Sequence, residues 1–448
     1  MAPIPRNSPD LTDKAAFREI ADIALDATRA DHLFIALSDQ AGGTTRFANS
    51  QITQNVNTRE RTLTIEAAFG NRHGSAATND FSSAGVKEAV ARAEAIAEVT
   101  PENDEYLPPI EQPLYPILPT FRPETASLGP TELAQRAGVA IDLCADAGLS
   151  AAGIVEAYTQ AAGVAASSGL FGHETRTRIR FSVTATGAGS SGSAANEDRS
   201  SDALDVETLT RFAVRKAQLS ANPRELPARP MTAILEPSAM ASFVAPLFWT
   251  LGARAVERGA SAYAGKLGQR VIDERLTLQN RPDHPALLGA GFSEEGLPTD
   301  YHKWFDRGVL QRVMHDRWTA KQAGVTPAIR PDAIVLSAND DDNATAATVE
   351  ELVAQTDFGV LVTTFWYIRM VNPQDLTLTG MTRDGVLTIE NGAITGAAKN
   401  FRWHESPLAA LNRLEGYTAP MNALNRGHKM MLPVLKLADF GFSSATRF

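Results

Sequence analysis

Eight histidines, one cysteine and a run of three aspartates are the residues from which this chain could build a catalytic or metal centre. The histidines are His32, His73, His173, His284, His302, His315, His404 and His428. Two metal ligands on one helix face stand three or four residues apart, and no two of these histidines have that spacing. Some lie beside carboxylates instead, namely His404-Glu405, His173-Glu174, and His302 with Asp306. An imidazole next to a carboxylate is the elementary unit of general acid–base chemistry. His404 and Glu405 form the most suggestive pair and are the candidate catalytic residues; the competing reading is a polar turn that closes a strand before Pro407. A serine nucleophile would need a Gly-x-Ser-x-Gly elbow, which the sequence lacks. The glycine-rich run Gly187–Ser193 (GAGSSGS) is not followed by Lys-Ser/Thr, so it reads as a flexible loop and not as a phosphate cradle. Asp340-Asp341-Asp342 has the charge of a hard-cation site without its ligand spacing. It reads as a solvated loop ahead of a helix that Thr348 and Glu351 cap.

The elements that position these residues divide into three units, of α+β class. After a loose polar arm of residues 1–12, the unit 13–100 opens with a helix over Asp13–Ala30. Strands over His32–Ser38, Arg46–Ile52 and Arg61–Phe69 follow, then a helix over Ser83–Val99. Residues 100–128 hold seven prolines and mark the first boundary. The unit 101–228 has a helix over Thr131–Ala147 behind Pro130, strands over Ile154–Ala166 and Thr175–Thr186, and a helix over Asp205–Leu219. Cys144 falls on the apolar face of the first of these helices and reads as a small buried hydrophobe. The unit 229–448 starts with a strand over Thr232–Leu235 and an apolar helix over Ala239–Val256 kinked at Pro246; a strand over Val309–Met314 follows.

Composition narrows the function classes. A net charge of −10 and a pI near 5.4 argue against nucleic acid as a partner, since phosphate binding needs clustered Lys and Arg. One cysteine excludes an intrachain disulfide and fits a reducing compartment. No apolar run reaches the length of a membrane span and no basic-then-apolar leader opens the chain, so the expected location is cytoplasmic, without a membrane partner.

The most informative stretch is Gly359–Ala410, which reads as a strand meander. Val360, Val362 and Thr364 alternate with Leu361, Thr363 and Phe365; Asp384-Gly385 and Asn391-Gly392 then supply the positive-φ residues of hairpin turns. Its phrases FWYIR, LTGMTRDGV, IENG and NFRWHESPL, with RFANSQITQN and SSGLFGHETRTRIRFSVTAT upstream, resemble the TldD/PmbA (TldE) family. These metallopeptidase-related proteins were once called modulators of DNA gyrase. The resemblance implies an N-terminal α+β domain, a central α+β segment and a sheet-rich C-terminal domain.

Catalytic members of that family, the TldD type, are zinc peptidases. They carry His-Glu, three residues, then His on a helix of the third domain, completed by a cysteine near the C-terminus. Zinc held this way lowers the pKa of a bound water to about 7, and the glutamate acts as base. Counting back from Gly259–Gly265, the histidine positions fall on Val244 and Trp249 and the glutamate position on Ala245. None of these binds zinc or moves a proton. Ser242–Gly252 contains no His, Asp, Glu or Cys, and Thr418–Phe448 contains no cysteine. The chain is therefore similar to the PmbA/TldE branch, for which no metal and no cofactor is expected. That branch implies a non-catalytic subunit that pairs with a TldD-type zinc peptidase to process unfolded or leader peptides. Phe243, Phe248, Trp249 and the Trp366-Tyr367 strand would fill the space of the metal site. The alternative is a stand-alone, metal-independent homodimeric enzyme of natural-product (antibiotic) biosynthesis acting on an amide or small-molecule conjugate.

Overall fold

Long antiparallel strands dominate the first half of the chain because their residues alternate between buried and open positions over many turns of the pleat. The computed structural model describes residues 10–328, 331–339, 347–425 and 428–445. Its first sheet is six-stranded, in the order β3-β2-β1-β4-β5-β6. The strands are β1 His32–Ala48, β2 Gln51–Phe69, β3 Arg72–Thr78, β4 Ser150–Ala166, β5 Phe171–Gly187 and β6 Ser190–Asp198. Leu33, Ile35, Leu37, Ala41 and Phe47 of β1 are all buried, two-residue periodicity that puts them on one face. At one end of that face α1 (Lys14–Ala27) and α2 (Ser83–Val99) enclose Phe17, Ile35, Leu63 and Val86. At the other, α4 (Pro130–Asp146, after the short α3 Pro123–Ala126) and α5 (Val206–Leu219) enclose Phe47, Leu133, Cys144 and Phe181. The sheet is thus continuous across the boundary expected at residue 100.

Two sequence expectations for this half are corrected. Arg46–Ile52 is not one strand: Asn49 and Ser50 take φ of 51° and 58°, and the chain reverses there between β1 and β2. Asparagine tolerates the left-handed region because its short polar side chain can hydrogen-bond the local backbone. Gly187–Ser193 is not a flexible loop but the β5–β6 hairpin. Gly192 is required within it, since a Cβ there would lie 2.3 Å from the Ala213 carbonyl of α5. Thr12 also belongs to the fold and not to a loose arm, donating from backbone and hydroxyl to the buried Asp39 at 2.8 Å each. The Asp340–Asp342 run lies outside the described residues, whereas the Thr348–Glu351 capping box is present.

The proline-rich stretch is extended and strapped down. The Arg254 guanidinium grips Glu105 at 2.7 and 2.8 Å, and the Tyr115 hydroxyl donates to the Gly296 carbonyl at 2.8 Å. A second seam joins β6 to the C-terminal half. The ammonium of Lys429, whose side chain is fully buried, meets Asp198 at 2.9 Å; the Lys429 amide donates to Glu197, which also pairs with Arg178 at 2.7 Å. Burial pushes the Glu197 carboxyl up, against the pull of Arg178 and Arg180. Removing one partner of a buried pair strands the other charge. Asp198→Ala is therefore expected to cost about 3–5 kcal/mol in a urea titration.

The C-terminal half is built on β7 (Pro230–Leu235) and the hairpin strands β12 (Phe358–Asn372), β13 (Thr377–Glu390), β14 (Ala393–Ala398), β15 (Phe401–Glu405) and β19 (Leu435–Ala445). Their order is β12-β7-β19-β15-β13-β14, and β12 also pairs with β13, so the sheet closes into a barrel. A six-stranded sheet lies beside it, in the order β10-β9-β8-β11-β18-β17. Its strands are β8 Leu276–Asn280, β9 His302–Asp306, β10 Val309–Leu310, β11 Ile334–Ala338, β17 Met421–Asn425 and β18 His428–Leu432; β16 (Leu414–Tyr417) pairs with β19. The strand expected over Val309–Met314 is only its first two residues, β10. Asn391-Gly392 makes the expected hairpin turn. Asp384-Gly385 does not: both flanking segments pair with β12, and the positive φ values of 56° and 117° form a bulge within one strand. Thr363 holds the bulge by donating its hydroxyl toward the Asp384 and Gly385 carbonyls, each at 3.0 Å. No helix of the described residues is long and apolar enough to cross a membrane.

Candidate functional site

The helix expected over Ala239–Val256 is broken. α6 covers Pro237–Val244, a tighter 3₁₀ turn covers Ala245–Phe248, and α7 covers Ala253–Glu257. Pro246 removes an amide donor and crowds the preceding turn, which ends the α-helical ladder at Val244. α6 packs against β12 on one side and β17 on the other, between the barrel and the second sheet. Of the three positions at which the resemblance would put the zinc motif, Val244 is fully buried, Ala245 is half-buried and Trp249 is 47 % exposed.

Hydrocarbon surrounds the start of this turn. Phe243 lies 5.6 Å from Phe440, 6.1 Å from Phe365 and 6.2 Å from Trp403, ring centre to ring centre. The last three rings come from β19, β12 and β15, so three barrel strands converge on the helix. Trp403 seats on Gly380, where a Cβ would lie 2.6 Å from the indole. Zinc requires nitrogen, sulfur or oxygen donors with hydrogen-bonded supports behind them. Val244, Ala245 and Trp249 supply none, and Trp249 and the exposed Trp366-Tyr367 pair do not fill an enclosed space there, so the residues present do not fit the metal of the catalytic branch. Cys144 is buried in the core under the first sheet, where burial pushes its thiol up. Among the described residues no group of three or more His, Cys, Asp or Glu could hold a metal ion.

His404 and Glu405 are neighbours on β15 and so point to opposite faces. His404 is exposed. Glu405 is buried, taking the Arg413 guanidinium at 2.5 Å and the amides of Ser406 and Gly441 at 2.9 and 3.1 Å. The carboxylate is thus committed to holding the end of the sheet. His173 meets the Thr12 carbonyl at 3.0 Å and Glu174 accepts from the Gly291 amide at 2.9 Å, both fastening the fold. Asp306 is taken by Lys303 at 2.8 Å rather than by His302.

Two features take their character only from the tertiary structure. The first is the outer half of β12. β7 pairs with it only from Gly359 to Val362, so on that side Phe365–Asn372 has no strand neighbour among the described residues. Trp366 and Tyr367 stand 44 % and 55 % exposed there, with Arg383 4.5 Å over the Trp366 ring and Arg369 4.3 Å over the Tyr367 ring. Tyr367 takes φ of 56°, a conformation that costs an aromatic residue roughly 1–3 kcal/mol. Alternation along FWYIR signals a strand; only the closed barrel shows which end lacks a neighbour.

The second is His302 on β9. Burial pushes its imidazole down to about 4, helped by Arg312 and opposed by Asp300. The folded protein therefore binds fewer protons than the unfolded chain between about pH 4 and 6.5. Stability from this group is complete above about pH 6.5 and is lost as pH falls toward 4, on the order of 3 kcal/mol in all. Urea midpoints measured from pH 7 to 4.5 should fall for the natural protein and flatten for His302→Asn.

Comparison with known proteins places this architecture. Models of the PmbA/TldA metallopeptidase match domain 1 over residues 35–97, the central domain over 123–221 and the C-terminal domain over 228–444. A metalloprotease of Archaeoglobus fulgidus is 30 % identical over 99 residues, a match that spans 22 % of this chain and only 23 % of that relative. The crystal structure of TldE from Thermococcus kodakarensis superposes with a TM-score of 0.85 at 18 % identity, covering 95 % of this chain and 99 % of that one. A protein from Bacteroides thetaiotaomicron described as a modulator of DNA gyrase gives 0.85 at 19 % identity, covering 97 % and 100 %. At such identities the structures show a shared fold alone. With its three domains matched in order, the chain belongs to the PmbA/TldD family of metallopeptidase-related proteins.

Proposed function

We propose that this chain is a non-catalytic, TldE-like subunit that pairs with a TldD-type zinc peptidase and guides unfolded or leader peptides to the partner's metal. The observation that carries the reading is the turn at Val244–Trp249, built of apolar side chains where the catalytic branch needs metal ligands. A subunit without a metal can still hold substrate. The free edge of β12 presents backbone donors and acceptors over Phe365–Asn372, roughly 26 Å at 3.3 Å per residue. Extended peptides add to such edges through main-chain hydrogen bonds, with little demand on their sequence. Trp366 and Tyr367 add apolar and π surface, and the stacked Arg369 and Arg383 favour neutral or acidic segments. The one cysteine is buried and free, in keeping with work in the reducing cytoplasm.

Co-expression with a candidate TldD-type subunit tests the pairing. One complex of both chains on size exclusion, with zinc carried by the partner, is the expected result; two separate peaks would refute it. Trp366→Ala with Tyr367→Ala is expected to weaken binding of a fluorescent unfolded peptide about tenfold, as loss of about 1.4 kcal/mol implies, while the two subunits stay together. The second reading is a stand-alone homodimer acting on an amide without metal. Amide hydrolysis by the isolated chain, indifferent to chelators, would favour it.

A further inference from the structure

The first sheet guards its two edges unequally. On one side β6 pairs with β5 from Ile179 to Gly187, and the proline-rich strap covers part of what remains. There the Thr177 amide donates to the Thr120 carbonyl at 3.0 Å, and the Thr120 hydroxyl donates to the Thr175 carbonyl at 2.7 Å. On the other side β3 pairs with β2 only from Leu63 to Phe69. Gln51–Thr62 has no strand neighbour on that side among the described residues, and all twelve of its residues are exposed, on both faces of the sheet. From Gln54 onward, past a register shift at Thr53, the strand runs without bulge or proline. An unguarded edge of this kind is a template for another strand. A cleft of about 440 Å³ opens beside it, lined by Asn57, Thr58 and Arg59 of β2 with Ala41, Thr125 and Thr159. The cleft leaves room on the helix-bearing face for the side chains of an added strand.

We propose that Gln54–Thr62 docks against the same segment of a second copy of this chain, antiparallel about a two-fold axis at Thr58. Two copies related by a two-fold axis make the same contact twice. An axis perpendicular to the sheet keeps like faces together, so opposing residues are both odd or both even in number. Charge selects among the registers that remain, because like charges directly opposite are destabilising. An axis at Arg59 sets that arginine against itself, and an axis at Glu60 sets Glu60 against itself and Arg59 against Arg61. An axis at Asn57 leaves Arg61 facing Thr53 at the bulge. The axis at Thr58 pairs the whole stretch: Thr58 faces Thr58, Asn57 faces Arg59, Val56 faces Glu60, Asn55 faces Arg61 and Gln54 faces Thr62. Arg59 meets its own counterpart only diagonally, and Asp39 neutralises it at 2.9 Å. Two six-stranded sheets then run on as one. The contact belongs to the isolated chain and uses a different strand from the β12 edge, so it and the pairing with a zinc subunit can fail separately.

The test is the mass of the isolated full chain by sedimentation across micromolar concentrations, joined to substitutions at exposed positions of the edge. A dimer is expected. Thr58→Cys should form a disulfide between copies on mild oxidation, because facing residues of an antiparallel pair have Cα atoms about 4.5–5.5 Å apart, within disulfide reach. Gln54→Cys should not, since its counterpart lies roughly 27 Å away at about 3.4 Å per residue. The natural chain, whose one cysteine Cys144 is buried, serves as the blank. Thr58→Glu sets two carboxylates face to face and should raise the dimer dissociation constant about tenfold or more, with the helical signal unchanged. A natural chain that stays monomeric overturns the proposal. So does a dimer that Thr58→Glu leaves intact, or one that cross-links equally through Gln54→Cys. A monomer in which Thr58→Glu weakens only the binding of a TldD-type subunit also overturns it, and gives the edge to that subunit.

Discussion

Trp403→Ala is expected to destabilise the protein by about 3–5 kcal/mol, among the largest effects available to a single substitution. The indole is fully buried and touches Phe243, Phe365 and Phe440, each on a different element. Removing it opens a cavity that four elements cannot jointly collapse, because barrel strands are tied by ladder hydrogen bonds on both sides. The cost is the lost transfer energy plus the vacant volume. Trp403→Phe retains most of the apolar surface and removes an indole nitrogen that has no partner, so it should cost well under half as much. Comparable losses for Ala and Phe would mean that the aromatic box is not what positions α6.

Writing the metal motif back should fail, and its parts should fail unequally. Val244→His introduces a larger, polar ring where the side chain is fully enclosed. Overpacking costs about 1–3 kcal/mol, and an unsatisfied buried nitrogen about 1–3 more. Trp249→His, at a position nearly half exposed, should stay within about 0.5 kcal/mol once lost packing is allowed for. The triple change Val244→His, Ala245→Glu and Trp249→His should capture no zinc at micromolar metal, since the third ligand is missing and the backbone between the two positions is a 3₁₀ turn. Thermal denaturation with and without zinc distinguishes the outcomes: a metal-dependent rise in midpoint for the triple variant would show that the site is only masked.

Sequence alone revealed much of the fold, and the reasons differ by element. Capped helices such as Ser83–Val99 and Pro130–Asp146 were legible because cap, period and stop signal coincide in a short window. Glycine pairs were ambiguous because positive φ serves turns and bulges alike. Asn391-Gly392 became a turn and Asp384-Gly385 a bulge, a choice made by pairing with β12, far away in sequence. Pro246 marked a disturbance but not its extent, since whether a proline kinks or ends a helix depends on tertiary packing. At the candidate site, the lack of any His, Asp, Glu or Cys from Ser242 to Gly252 was readable directly. Which histidine would be buried was not: His302 and His404 look alike in sequence, and only the sheet places one largely in the interior and the other in solvent.

The most direct test of the account is the zinc content of the purified chain, measured by atomic absorption alone and in complex with a TldD-type subunit. The account predicts no stoichiometric zinc on the isolated chain. It also predicts metal in the complex that vanishes when the partner's own ligands are mutated. One zinc per isolated chain, with peptide cleavage that a chelator abolishes, would contradict it.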